Sequence, residues 1–231
     1  MKKILSMIFG SFLCLSLFAQ EDWGDVLDWK KAYYSYVAGT DKQLSDNQYM
    51  HLIYTYFNDD YEQFHNDEFE WEDHKANDIK AINEEIASCK NYKDEKFYVV
   101  TRAEFGSYDF EKQGYPVNLP EGTYFSHQRS YSQWYKSTSD MALYMPDMTK
   151  YNFFPMEKSQ AKTFQTARKD RWGEIDRNII LVIHYTIEDF GSEKYKKIEK
   201  QFAPIQPVVG NISSIEIFDE NNQKIGDLIQ K

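Results

Sequence analysis

Cysteine is almost missing from this chain: there are two in 231 residues, Cys14 and Cys89. Cys14 lies inside the apolar run near the N-terminus, so removal of that run would leave Cys89 alone and no internal disulfide. Glycine and proline are scarce, ten and six residues, and no low-complexity tract or fixed-period repeat interrupts the chain. Positive charge is in short supply too. Against 37 acids stand 27 bases, a net charge of −10, and repulsion on this scale disfavours nucleic acid and anionic lipid as partners. The sequence lacks a Gly-x-Ser-x-Gly nucleophile elbow, a Gly-x-x-x-x-Gly-Lys-Ser/Thr phosphate loop, a Gly-x-Gly-x-x-Gly turn and a His-Glu-x-x-His zinc helix. The stretch beginning at Asp219 resembles a calcium loop only superficially, because Lys224 stands where glycine is needed and Gln230 where a bidentate glutamate is needed.

Long apolar runs are absent except at the start. Lys2 and Lys3 precede an apolar stretch over residues 4–18, and polarity begins at Gln20. This layout predicts a secretory signal peptide over residues 1–20, cut near Ala19 or Gln20, and a periplasmic or secreted protein of bacterial type. The run is shorter than the ~20 residues a membrane span needs, so no span is expected after cleavage. No small residue precedes Cys14, which argues against a lipid anchor. Loss of Lys2 and Lys3 would leave 25 bases against 37 acids, or −12.

What is abundant is aromatic: 18 Tyr, 16 Phe and 5 Trp make up 17% of the chain. Tyrosine fills a core and keeps a hydroxyl for hydrogen bonding, so the composition suits both a large core and a polar binding surface. Residues 21–95 read as a helical subdomain. Three- and four-residue apolar steps run from Trp23 to Tyr34, then from Tyr49 to Phe57 behind a Ser45 cap, then along Ile79, Ile82, Ile86 and Cys89. That spacing makes Cys89 a small buried hydrophobe. Residues 90–95 read as a polar linker or turn.

Residues 96–231 read as a β-rich subdomain packed with the first. Strands are expected over 97–105, 123–125, 141–145 and 178–188, and a closing hairpin over 212–229. One helix is inserted over 156–168. The strand over 178–188 is apolar on both faces at its centre, which makes it an interior strand. Helices first and strands after predict an α+β fold with a mostly antiparallel sandwich or twisted sheet.

Two stretches nominate sites. Over residues 124–135, Tyr124, His127, Arg129 and Trp134 alternate rings with hydrogen-bonding groups, a mixture that can grip a glycan or a peptide. Residues 58–78 hold nine acids and two histidines. On a helix, Asp67, Glu70, His74 and Asp78 share a stripe about 80° wide, yet Asp67 and His74 are separated by a rise of about 10.5 Å and cannot share one ion. Glu70 and His74 therefore form at most half of a divalent-cation site, the rest coming from another segment. The plainer reading makes Asn66 an N-cap, places the acids in the first helical turns, where the helix dipole favours them, and leaves Asp59, Asp60 and Glu62 in a loop. His184, alone on an apolar strand, reads as a buried, hydrogen-bonded residue. No cofactor is expected from a motif.

These features favour an exported, non-enzymatic binding module for a glycan, peptide or protein. Two alternatives compete: an exported hydrolase using carboxylates or a metal, and a cell-envelope protein whose acidic helix docks on a basic partner.

Overall fold

The computed structural model describes residues 25–26, 28–119, 124–127, 141–190 and 206–230. Helices come first. Asp28 starts α1 (Trp29–Gly39) because its carboxylate accepts the otherwise orphaned N–H groups of Lys30 at 2.9 Å and Lys31 at 3.4 Å. Ser45 starts α2 (Asp46–Tyr56), with the Gln48 side chain reaching back to accept the Ser45 N–H at 2.9 Å. The short α3 (Asn58–Phe64) follows, then α4 (Glu68–Ser88), which ends in a 3-10 turn over Cys89–Asp94.

The larger sheet has the order β1-β2-β7-β8-β5-β4, with β9 on a further stretch of β8. Its strands are β1 (Asp25–Val26), β2 (Phe97–Glu104), β4 (Tyr124–His127), β5 (Met141–Tyr144), β7 (Asn178–Phe190), β8 (Gln206–Phe218) and β9 (Lys224–Asp227). Pairing is antiparallel except for β1 with β2 and β5 with β8. β7 is indeed interior: Ile183 stands opposite Val99 on one side and Ile215 on the other. Its odd-numbered residues from Ile179 to Ile187 are buried in the main core, while Val182 joins Tyr98 and Phe218 in a small cluster on the opposite face. The Asp219 carboxylate stabilises the β8–β9 turn by accepting the N–H groups of Asn221 and Gln223 at 2.8 and 2.9 Å.

A second sheet, β10-β6-β3, is built from β3 (Gly114–Pro116), β6 (Tyr151–Pro155) and β10 (Ile229–Gln230). α5 (Lys158–Ala167) leads from β6 towards β7. One continuous core runs through Tyr33, Leu52 and Ile82 of the helices, Leu181 and Ile215 of the large sheet, and Tyr115 and Phe154 of the small one. The architecture is α+β, with helices followed by a curled, mostly antiparallel sheet.

Several local expectations need correction. Val26 lies in a strand rather than the first helix, because Asp28 starts that helix two residues later. Asp59, Asp60 and Glu62 are helical, in α3. The cap of α4 is Asp67, not Asn66, its carboxylate accepting Phe69 N–H at 3.0 Å and Glu70 N–H at 3.1 Å. Of the two readings of residues 90–95 the turn holds: residues 90–94 lie in the 3-10 turn, with Tyr92 buried against Phe190 and ring centroids 4.7 Å apart.

Candidate functional site: an open groove beside α5

The loop between β2 and β3 is stiffened from within. Asp109 N–H donates to the Gly114 carbonyl at 2.8 Å, and Gly114 N–H returns a bond to the Asp109 carbonyl at 3.3 Å. The Asp109 carboxylate also accepts the N–H groups of Glu111 at 3.0 Å and Lys112 at 2.9 Å. This turn fixes the residues on either side of Asp109. The Tyr108 hydroxyl donates to the Met156 carbonyl at 2.8 Å, and its ring meets those of Phe110 and Tyr115 edge-on at 5.0 and 5.1 Å. Phe110 is 70% exposed, an unusual position for a large apolar ring on a rigid turn.

Across from this turn stands α5. Ala161 points into the core, and the Tyr115 hydroxyl donates to its carbonyl at 3.3 Å, tying the helix to the small sheet. Lys158 and Lys162, one turn apart, and Gln165 line the space between α5 and the turn. Ile175 and Arg177, just ahead of β7, complete the lining. Arg177 is held from behind: its Nη1 donates to the carbonyls of Gly106 and, at 3.4 Å, Phe105, and the guanidinium lies 5.6 Å from the Phe105 ring centre. The resulting groove has a volume of about 910 Å³, in the range of sites for drug-sized ligands.

Its electrostatics run against those of the whole protein. The lining carries Lys158, Lys162 and Arg177 against Glu157, a net +2 on a chain of net −10. None of these three cations forms an ion pair among the described residues. Elsewhere cations find acids: Lys30 with Glu85, Lys31 with Glu95 and Lys150 with Asp147. Desolvation, followed by the nearby carboxylates of Glu157 and Asp109, pushes the Tyr108 phenol above its ordinary range. The phenol therefore remains a neutral donor. The lining residues include no histidine or cysteine that could serve as base or thiolate nucleophile. The arrangement can hold a ligand by ring contact and charge.

The residues nominated from sequence lie elsewhere. Tyr124 and His127 begin and end β4 at the edge of the large sheet, opposite Tyr144 and Met141. Arg129 and Trp134 lie outside the described residues. Glu70 and His74 sit one turn apart on α4, as expected, but the His74 ring stacks face to face on Phe64 at 3.6 Å. Among the described residues, no group of three or more His, Cys, Asp or Glu side chains is placed to hold a metal. The acidic stretch instead builds the α3–α4 contact. The Asp78 carboxyl is buried there beside Asp60, and burial, then Asp60, pushes its pKa up while His74 pulls it down.

His184 is indeed hydrogen-bonded. Its Nε2 lies 2.8 Å from Oε2 of Glu216, whose other oxygen accepts from the Lys224 ammonium, and Lys224 also meets Asp227 at 3.1 Å. This network clasps β7, β8 and β9, and Glu216 above all holds the Lys224 pKa above its usual value. Cys89 is buried, and desolvation raises its thiol, which leaves little thiolate to react.

Fold and groove together define an α+β protein with a cation-lined groove between a stiff turn and a short helix. A family model described as a domain of unknown function (DUF4852) matches residues 45–167, more than half of the chain, and the chain belongs to that family. The match takes in Tyr108, Phe110 and all of α5, while Ile175 and Arg177 lie beyond it. No curated protein and no solved structure matches the chain. No helix among the described residues is long and apolar enough to cross a membrane.

Proposed function

We propose that this protein is an exported, non-enzymatic binding module, with the groove beside α5 as its site. The observation that carries this reading is an exposed aromatic ring held on a stiff turn at the side of an open, preformed space lined by lysine and arginine side chains. Binding through a preformed site avoids much of the ordering cost that flexible surfaces incur. The N-terminal Lys-Lys and apolar run supply the export half of the proposal.

The test is calorimetric titration of the whole protein with a panel of short peptides and oligosaccharides. Phe110→Ala and Ser107→Trp, both at exposed positions, should abolish binding of any hit and leave the melting temperature unchanged. A hit whose affinity is the same in both variants would rule out the groove as the site. Chemical alteration of the bound ligand, read by mass spectrometry, would overturn the non-enzymatic half.

A further inference from the structure

The charge of the groove says more about its occupant than its volume does. We infer that the ligand is an acidic peptide segment, with a carboxylate side chain next to a bulky apolar one. This inference rests on the groove being the binding site.

Lys158, Lys162 and Arg177 line one groove without ion-pair partners among the described residues, on a chain with acids to spare. A cleft of net positive charge on an acidic chain favours an opposite charge. Arg177 is the most specific of the three. Its Nη1 is committed to backbone carbonyls, so the guanidinium plane is fixed, and Nε and Nη2 make no hydrogen bond among the described residues. A guanidinium fixed in this way can grip a carboxylate with two parallel bonds. Lys158 and Lys162 add charge along one face of α5.

The surroundings of Phe110 favour a peptide over an acidic sugar. Sugar rings bind aromatic residues by lying flat on an open face. Here the Lys158 ammonium is positioned over one face of that ring, 5.7 Å from its centre, and Tyr108 meets the ring edge-on, which leaves less of it to a flat sugar. What remains is a space walled by Tyr108, Phe110 and Ile175, which suits an inserted aliphatic or aromatic side chain. Glu157 at the same groove penalises a ligand carrying negative charge throughout. The favoured occupant therefore alternates acid with apolar residues.

A randomised peptide library panned against the full-length protein tests this, with oligogalacturonate titrated in parallel. Enriched peptides should pair Asp or Glu with Phe, Tyr, Leu or Ile. Their affinity should fall about tenfold in the double variant Lys158→Glu plus Lys162→Glu, and similarly in 0.5 M salt or when their acids are replaced by amides. Neutral or basic enriched sequences, or no enrichment, would overturn the inference. So would oligogalacturonate binding more tightly than any peptide. If Phe110→Ala and Ser107→Trp leave peptide binding intact, the groove itself is the wrong site. If they abolish it while the lysine variant binds normally, the groove stands and the charge inference falls.

Discussion

At the scale of single residues, the buried polar groups are the most informative. The hydroxyls of Tyr34 and Tyr185 are enclosed with no hydrogen-bond partner among the described residues. Burial pushes both phenols well above the ordinary tyrosine range. An enclosed polar group without a partner costs roughly 1–3 kcal/mol. Tyr34→Phe and Tyr185→Phe keep the ring and remove the cost, so each should leave urea stability unchanged or raise it by up to about 1 kcal/mol. A loss of that size would point to a bond formed through water.

Asp78 makes a pH-dependent prediction. Its pKa is higher folded than unfolded, where about 3.9 is normal. The folded state therefore binds more protons between the two values. The stabilisation is complete below the unfolded value and is lost as pH rises through the folded one. Above that, Asp78 and Asp60 repel each other across the α3–α4 contact. Asp78→Asn should raise stability near pH 7 by about 1 kcal/mol and flatten the decline on the alkaline side of the unfolded value, as read from urea melts between pH 4 and 8.

Among the elements, β3 leaves no room for a side chain where Gly114 faces β6. A Cβ at Gly114 would stand 2.4 Å from the Phe154 carbonyl and 2.6 Å from the Phe153 ring, with strand backbone on one side. Gly114→Ala should cost about 2–3 kcal/mol, measured as a shift in denaturant midpoint, and should also loosen the turn that carries Tyr108 and Phe110. Helices with caps and long apolar strands were legible from sequence, since α2, α4, α5, β2 and β7 each carry the expected period or composition. The short strands β3, β6 and β10 were not, because their pairing is set by partners distant in sequence. The same limit hid the groove. Lys158 and Lys162 sit one turn apart, a visible signal on the polar face of a helix, but nothing in the sequence places them opposite Phe110 or brings in Arg177. The alternating stretch over 124–135 carried a stronger local pattern than any residue of the groove.

For the molecule as a whole, the family match and the folding unit have different boundaries. Residues 45–167 include β2 and β5 but neither β7 nor β8, the strands that stand between them. A fragment of residues 45–167 should therefore lack a closed core, with helical circular dichroism, poor dispersion of amide resonances and no cooperative melt. A cooperative transition in that fragment would contradict the sheet order. The central position of β7 and β8 also governs the order of events during synthesis. Helices α1 to α4 can pair as soon as they leave the ribosome, because they contact one another locally. β2, made some eighty residues before β7, has to remain open until the last quarter of the chain arrives. The large sheet is thus completed last, when its two central strands have been made, and until then one edge of β2 is open to another chain.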